Sequence, residues 1–308
     1  GPVHGPPALR RSRCSREIIH GLLAARASRP MAEPEGRFRL LLHYDGSDFC
    51  GWQAQPGQPT VQGALQRAAE RIAGGRRMVM GAGRTDAGVH ATGQVAALDM
   101  PTSWGGVELA RALNAVLPKS IWVEAARAAP PDFHPRRDAV GRSYRYRVGV
   151  RPEAASPFRR RWCWPLCREL DIEAARRASR VLVGVRNFRR FAKAGQEHRG
   201  HLCKVESADW MPWGDVGLAF EITANRFLHR MVRYLVGTMV EIALGRRSEE
   251  EMEMLLEGAA GLLTSRPAPP GGLFLTGVEF DRQPVDRLPT ACEPGGTRPG
   301  GDSSICNM

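Results

Sequence analysis

The chain has 308 residues, enough for one large domain or two medium domains, and its content of 43% hydrophobic and 25% charged residues is ordinary for a soluble globular protein. It carries 44 Lys and Arg against 32 Asp and Glu, a formal net charge of +12, which favours a polyanionic partner such as nucleic acid over an acidic small molecule. No run approaches the roughly 18 apolar residues of a membrane span, and the seven scattered cysteines, without a CxxC pair, predict a reduced, intracellular protein without a metal site.

The chain begins with an Arg-rich and Ser-rich segment, residues 1–30, that precedes Met31. Two interpretations are open: an upstream translated extension before a start at Met31, which we prefer, and a mitochondrial-type targeting peptide with an apolar stretch at 18–23. We expect residues 1–35 to be a disordered extension and residues 283–308, rich in Pro, Gly and Ser, to be a disordered tail. The expected location is the cytoplasm, and the mitochondrion only if residues 1–30 are a targeting peptide.

The first half of the chain predicts the order strand, helix, strand, strand, helix, strand. Period-two and helical apolar patterns, together with turn residues, give the boundaries. The expected strands are 37–44, 78–80, 93–100 and 121–126, and the expected helices run from Thr60 to Gly74 and over 107–116.

The second half repeats this theme. The patterns predict strands at 143–150, 203–210, 216–223 and 273–280, a helix capped by Asp171, a long helix over 227–243 and a helix over 249–256. Strands bunched in pairs between helices are typical of an α+β fold with largely antiparallel sheets. We therefore expect two ferredoxin-like, RRM-like modules, residues 36–135 and 136–282, that form a central positively charged cleft with a natural place for folded RNA.

The most informative loop, residues 81–91, reads GAGRTDAGVHA and places Asp86 beside Arg84. Its glycines permit tight turns and close approach of a ligand to the backbone. Arg84, two residues away, can hold a carboxylate ionised and oriented, which suits a nucleophile or a general base. From composition alone a structural turn remains the alternative, because Asp and Gly are ordinary turn formers.

This loop and further segments in the same order resemble the tRNA pseudouridine synthase A family, from about residue 38 to residue 280. The loop motif is GRTDAGVHA at 83–91. The other matching segments are Tyr44-Asp45-Gly46, Gly51-Trp52-Gln53, Leu113-Asn114, Phe133-His134 with Arg136, Arg142-Ser143-Tyr144-Arg145-Tyr146, Asn187-Phe188, residues 224–233 (ANRFLHRMVR) and Ala268-Pro269-Pro270.

The resemblance implies a cofactor-free, metal-free isomerase. Its implied targets are uridines 38, 39 and 40 of the tRNA anticodon stem-loop, and its implied assembly is a homodimer. Asp86 would be the catalytic aspartate, Tyr144 the tyrosine beside the uracil ring and Arg233 the basic partner of the aspartate. The resemblance implies that Tyr144 and Arg84 bind RNA. Arg142 and Arg136, from their charge, and His90, from its residue type, are also expected to bind RNA.

Several alternatives stay open from the residues. Asp86 could attack C6 of the ring, attack C1′ of the ribose or act as the base in a glycal route. His90 and His229 suit structural or RNA-contact roles better than metal binding, and Trp52 could stack on RNA or anchor a loop. The cations Arg136, Arg137, Arg142 and Arg145 form a basic run for which we prefer phosphate contact over a solvated face.

Two rival functions accompany this interpretation. The first is a non-catalytic tRNA-binding protein or chaperone that keeps the fold, against which the joint presence of Asp86, Tyr144 and Arg233 argues. The second is the same enzyme acting on a mitochondrial or non-anticodon RNA, which a cleaved targeting peptide at residues 1–30 would support.

Overall fold

A computed structural model describes residues 34–193 and 200–281 of the chain. Most of the predicted N-terminal extension, up to residue 33, and the whole predicted tail, residues 283–308, lie outside the described residues. The first strand begins at Glu35, one residue before the expected start of the folded part at residue 36.

The described part of the chain contains ten strands and five α-helices, which confirms the predicted α+β class. The strands are β1 Glu35–Tyr44, β2 Val79–Gly81, β3 His90–Pro101, β4 Ile121–Ala129, β5 Ala139–Gly149, β6 Trp164–Pro165, β7 Gly184–Asn187, β8 Leu202–Trp213, β9 Gly217–Ala224 and β10 Leu273–Phe280. The helices are α1 Val61–Ala73, α2 Gly106–Val116, α3 Ile172–Arg180, α4 Met231–Ala243 and α5 Glu250–Glu257.

Local sequence explains where two of the helices begin. Thr60 caps α1, because its hydroxyl oxygen accepts a hydrogen bond from the amide of Gly63. Asp171 caps α3 in the same way, accepting from the amides of Glu173 and Ala174. Both caps satisfy amide groups that have no partner within the helix.

The long helix predicted from residue 227 begins four residues later, at Met231. Arg230 adopts a left-handed backbone with φ 64° and ψ 8°, which a helical residue cannot have. Apolar side chains at 227 and 228 continue the helical spacing, so the periodicity hid this break. Residues 225–230 therefore form an irregular segment ahead of α4.

All ten strands belong to one sheet, whose order is β4-β1-β3-β10-β5-β9-β8-β7, with β2 paired to β3 and β6 paired to β5. The pairings are antiparallel except β10 with β3 and β5 with β6. Two separate sheets were expected. Strand β10 instead lies between β3 of the first half and β5 of the second half, and it joins the strands of both halves into one continuous sheet.

One cluster of buried apolar side chains runs through both halves of the molecule. Its largest fully buried members are Trp52, Trp210, Tyr146, Phe188, Phe191 and Phe220. Burial of such a side chain contributes roughly 1.5–3 kcal/mol, so this cluster supplies most of the driving force that holds the helices on the sheet.

His90, at the start of β3, is part of the junction between the halves. Its side chain is 1% exposed and stacks on Phe274 at 4.8 Å between ring centroids. The amide of Gly46 donates to its Nδ1 at 3.1 Å, and its Nε2 lies 3.1 Å from the carbonyl oxygen of Gly271, as a neutral Nε2–H tautomer requires. The expected RNA contact by His90 is thus wrong for this conformation, and the structural alternative holds.

The described residues contain neither a membrane-spanning helix nor a cluster of metal ligands. No helix among them is both long and apolar enough to cross a bilayer. Within the same residues, no group of three or more His, Cys, Asp or Glu side chains is arranged to hold a metal ion.

The junction between β3 and β10 predicts a strong effect of Gly93→Ala. A Cβ atom at Gly93 would lie 2.1 Å from the carbonyl oxygen of Thr276, so the two strands would have to separate. We expect the free energy of unfolding in urea to fall by about 1 to 3 kcal/mol. Gly277→Ala, whose Cβ would meet Ser143 Cβ at an ordinary 3.9 Å, is the control and should change it by less than about 0.5 kcal/mol. Equal losses in both variants would contradict the assigned strand contact.

The buried His90 predicts a pH dependence of stability. Burial lowers the pKa of His90, against a smaller opposing effect of Asp45. As the pH falls below about 6.5, the unfolded chain takes up a proton here that the folded chain does not, so the free energy of unfolding falls. We expect this fall, measured by urea unfolding between pH 7.5 and pH 5.5, to be smaller in His90→Gln than in the wild type. Parallel pH profiles would show that His90 does not contribute.

Candidate active site

Asp86 lies on the loop that connects β2 to β3, and side chains from neighbouring strands fix this loop. Gln94 brackets Gly83, because its Nε2 donates to the carbonyl oxygen at 2.8 Å and its Oε1 accepts from the amide at 3.3 Å. The hydroxyl groups of Tyr44 and Thr85 are hydrogen-bonded at 2.8 Å. These bonds fix the loop at Gly83 and Thr85, the two residues on either side of Arg84 and just before Asp86.

A second anchor comes from the loop after β1. The amide of Trp52 donates to the carbonyl oxygen of Thr85 at 3.0 Å, and the indole packs against Gly81, where a Cβ atom would lie 2.4 Å from the ring. Gly51 has φ 93°, and a Cβ there would lie 2.6 Å from the Thr85 oxygen, so only glycine fits. Trp52 is 1% exposed, so its side chain anchors the loop and is not available to stack on RNA.

Three cationic or titratable side chains from residues 229–233 surround the Asp86 carboxylate. Arg233 Nη1 lies 3.3 Å from Oδ2, His229 Nε2 lies 3.2 Å from Oδ1 and Arg230 Nε lies 4.0 Å from Oδ2. Arg233 is held in this position by a 2.7 Å hydrogen bond from Nε to the carbonyl oxygen of Ala268. The predicted pairing of Arg233 with Asp86 is present in the structure.

Sequence reasoning missed His229 and Arg230 as neighbours of Asp86. Both were expected inside the long helix, and the break at Arg230 turns them toward the loop instead. Two arginines and a histidine in five residues, next to an apolar helix, are the only signal in the sequence for such a cluster. Arg84, the cation first expected beside the carboxylate, is exposed and forms none of the ion pairs that Asp86 makes with the described residues.

Tyr144 reaches the same place from strand β5. Its ring packs edge-to-face on Phe227, with 4.8 Å between centroids, and its hydroxyl group would lie 3.7 Å from a Cβ atom at Gly83. Burial raises the pKa of Tyr144 to about 12, and the negative charge of Asp86 adds to the rise while Arg142 opposes it. At neutral pH the side chain is therefore an uncharged phenol that can donate a proton in a hydrogen bond.

Arg142 binds backbone groups in this fold, contrary to its expected contact with RNA. Its Nη1 donates to the carbonyl oxygens of Ala139 and Asn225, and its Nη2 donates to those of Arg136 and Ala82. Burial lowers the pKa of Arg142. These four bonds tie the start of the Asp86 loop to the segment that carries His229.

The rest of the basic run is partly neutralised. Arg145 forms an ion pair with Glu221 on the neighbouring strand, and Arg137 forms one with Asp138. Arg136 is half-buried and lends its carbonyl oxygen to Arg142. The four cations thus do not form one free phosphate-binding surface.

A groove of about 790 Å³ lies elsewhere, between α2 and β4. Its lining is mostly apolar, including Phe38, Trp104 and Trp122, and it contains neither Asp86 nor any residue that surrounds it. This groove therefore does not mark the position of Asp86 and the charged side chains around it.

Comparisons with known proteins agree with this arrangement. The family model described as tRNA pseudouridine synthase matches residues 40–138 and 178–281, which include Asp86 and Arg233, while Tyr144 lies between the two spans. The chain is 37% identical over 270 residues to tRNA pseudouridine synthase A of Solidesulfovibrio magneticus, covering 85% of this chain and 98% of that protein. It is 40% identical over 246 residues to the protein of the same name from Neisseria gonorrhoeae, covering 79% and 92%. The chain belongs to the tRNA pseudouridine synthase family.

Proposed function

We propose that this protein isomerises uridine to pseudouridine in the anticodon stem-loop of tRNA, at positions 38, 39 and 40, without a cofactor or metal ion. The observation that carries the proposal is the Asp86 carboxylate, held on a rigid loop between Arg233 and His229 and close to Tyr144. The tRNA pseudouridine synthases to which the chain is related support the choice of substrate.

The reaction conserves every atom of the nucleotide. The bond from N1 of uracil to C1′ breaks, the ring turns, C5 bonds to C1′, the C5 proton leaves and N1 gains a proton. Asp86 serves as nucleophile or base, whether at C6, at C1′ or in the glycal route. Arg233 donates a hydrogen bond to Oδ2, and His229 Nε2 lies 3.2 Å from Oδ1. A carboxylate oxygen accepts about two hydrogen bonds, so each oxygen keeps a position for the substrate.

Tyr144 is proposed to lie against the flipped uracil ring. The target uridine must leave its stack, which costs a few kcal/mol, and stacking on an aromatic side chain returns about 1 to 3 kcal/mol. The phenol is uncharged at neutral pH, with a pKa of about 12, and is supported by Phe227. Its hydroxyl group can act as a relay: it gives its own proton to N1 of the turned ring and takes the proton that leaves C5.

The binding surface is proposed to be a positively charged cleft between the two halves of the chain, residues 36–135 and 136–282, and one tRNA is proposed to contact both subunits. Arg84, exposed on the Asp86 loop, and Arg136 are the proposed RNA contacts outside the reacting centre. The proposed assembly is a homodimer and the proposed location is the cytoplasm. His90 and Arg142 are proposed to hold the backbone around the Asp86 loop, through their bonds to Gly46, Gly271 and Ala82, and not to contact RNA.

Asp86→Asn should abolish the activity and leave tRNA binding within about twofold, because the amide keeps the shape of the side chain but loses its charge. The expected loss in rate is at least about 10²- to 10⁴-fold. Pseudouridine is mapped by primer-extension stops at carbodiimide adducts on unmodified tRNA transcripts. Asp48→Asn, the same change at a carboxylate that is 74% exposed, is the control and should keep full activity.

Three outcomes of this experiment would count against the proposal. Absence of stops with the wild-type protein, together with tRNA binding, would favour the non-catalytic tRNA-binding protein. Equal stops with Asp86→Asn would remove Asp86 from the chemistry. Stops that persist in transcripts with cytidine at positions 38, 39 and 40 would reject the proposed target positions.

Tyr144→Phe should lower kcat by about 10²- to 10⁴-fold with little change in KM, because the ring remains and only the proton-carrying hydroxyl group is lost. The matched control is Tyr146→Phe on the same strand, whose hydroxyl group donates to the carbonyl oxygen of Pro269 at 2.7 Å. That variant should lose about 1 kcal/mol of stability and keep its kcat. A similar kcat in both variants would reject proton transfer by Tyr144.

A further inference from the structure

Arg230 combines two unfavourable features that no other described residue combines. Its backbone is left-handed, with φ 64°, a conformation shared among the described non-glycine residues only by Cys167. Its Nε atom is buried without a hydrogen-bond partner, which in the described chain is true otherwise only of Arg147. Each feature costs free energy in the folded protein, so their coincidence at one residue of the site requires a reason.

Neutralising Asp86 does not supply that reason. Arg230 Nε lies 4.0 Å from Asp86 Oδ2, beyond hydrogen-bond distance, while Arg233 and His229 approach the same carboxylate at 3.3 Å and 3.2 Å. The Arg230 side chain is 37% exposed although its Nε is buried, so its exposed surface belongs to the rest of the side chain. The Arg230 side chain therefore lies beside Asp86 and is partly exposed to solvent there.

The backbone at Arg230 adds a second attraction for an anion. Arg230 is the N-cap residue of α4, a helix of 13 residues, and no side chain caps this end. The amide groups in the first turn give the helix start a partial positive charge. A negative group bound by the guanidinium would thus also lie near the positive end of the helix.

We infer that Arg230 binds a phosphodiester of the RNA backbone next to the uridine that enters the Asp86 site. The guanidinium edge matches two phosphate oxygens, and extrusion of a nucleotide requires the backbone beside it to be held in its rotated form. The bound phosphate would give the delocalised guanidinium charge a counterion in addition to Asp86, whose Oδ2 lies 4.0 Å from Nε. The inference rests on the proposed function, because it takes RNA as the ligand.

The test measures binding of an unmodified tRNA transcript as a function of salt concentration. Loss of one phosphate contact in Arg230→Gln should reduce the slope of log K against log salt by about 0.7 to 0.9. Arg230→Lys should keep the slope and bind more weakly, because a lysine lacks the two-point geometry. Arg177→Gln removes an arginine on α3 that is paired with Glu249, and it should leave the slope unchanged. A wild-type slope in Arg230→Gln would overturn the inference.

Arg230→Gly separates ligand binding from a structural role. Glycine accepts the left-handed backbone and removes the unpaired donor, so its midpoint of urea unfolding should rise while tRNA binding weakens. A lower midpoint with unchanged binding would mean that Arg230 is structural. Binding of tRNA does not require isomerisation. If the wild-type protein binds tRNA but forms no pseudouridine, the proposed function is rejected, and the salt dependence of binding still tests the role of Arg230. A wild-type protein that does not bind tRNA overturns both.

Discussion

The structure depends on strand β10 filling the space between β3 and β5. Leu275 is paired with Ala91 of β3 on one side and with Tyr144 of β5 on the other. Since neighbouring strands lie about 4.8 Å apart, this double pairing fixes the distance between the Asp86 loop, which leads into β3, and Tyr144. The Leu275 side chain also lies under Gly83, where a Cβ atom would be 3.5 Å away. The last described strand of the chain thus sets the geometry of a site whose reactive groups precede it.

The site lies between the Asp86 loop, residues 81–91, and the irregular segment at residues 225–230. Hydrogen bonds from Gln94, Tyr44 and Trp52 hold the loop, so little reordering is needed when a substrate arrives. Opposite it, the left-handed backbone at Arg230 ends the irregular segment and turns cations toward Asp86. Arg142 connects the two sides through the carbonyl oxygens of Ala82 and Asn225. A single carboxylate is thereby surrounded by side chains from distant parts of the chain.

The sequence predicted most of the elements, and the errors have a common cause. Thr60 and Asp171 were predicted as caps and act as caps, because capping depends only on residues within one turn. The start of α4 was wrong by four residues, since apolar spacing is insensitive to one left-handed residue. The sequence did not predict the single sheet, because the pairing of β10 with β3 is short and links distant residues. Phe274 lies opposite His90, which is 184 positions earlier in the chain (274 − 90).

By itself the sequence determined the α+β class, the loop that carries Asp86, and the resemblance that linked this loop to Tyr144 and Arg233. These properties are local, or they are patterns read in order along the chain. Only the tertiary structure decided which charges meet: Asp86 contacts His229 and Arg233, whereas Arg142 binds carbonyl oxygens and His90 is buried. An arginine's partners depend on which backbone groups and carboxylates the fold brings within about 4 Å, and no pattern in the sequence encodes that distance.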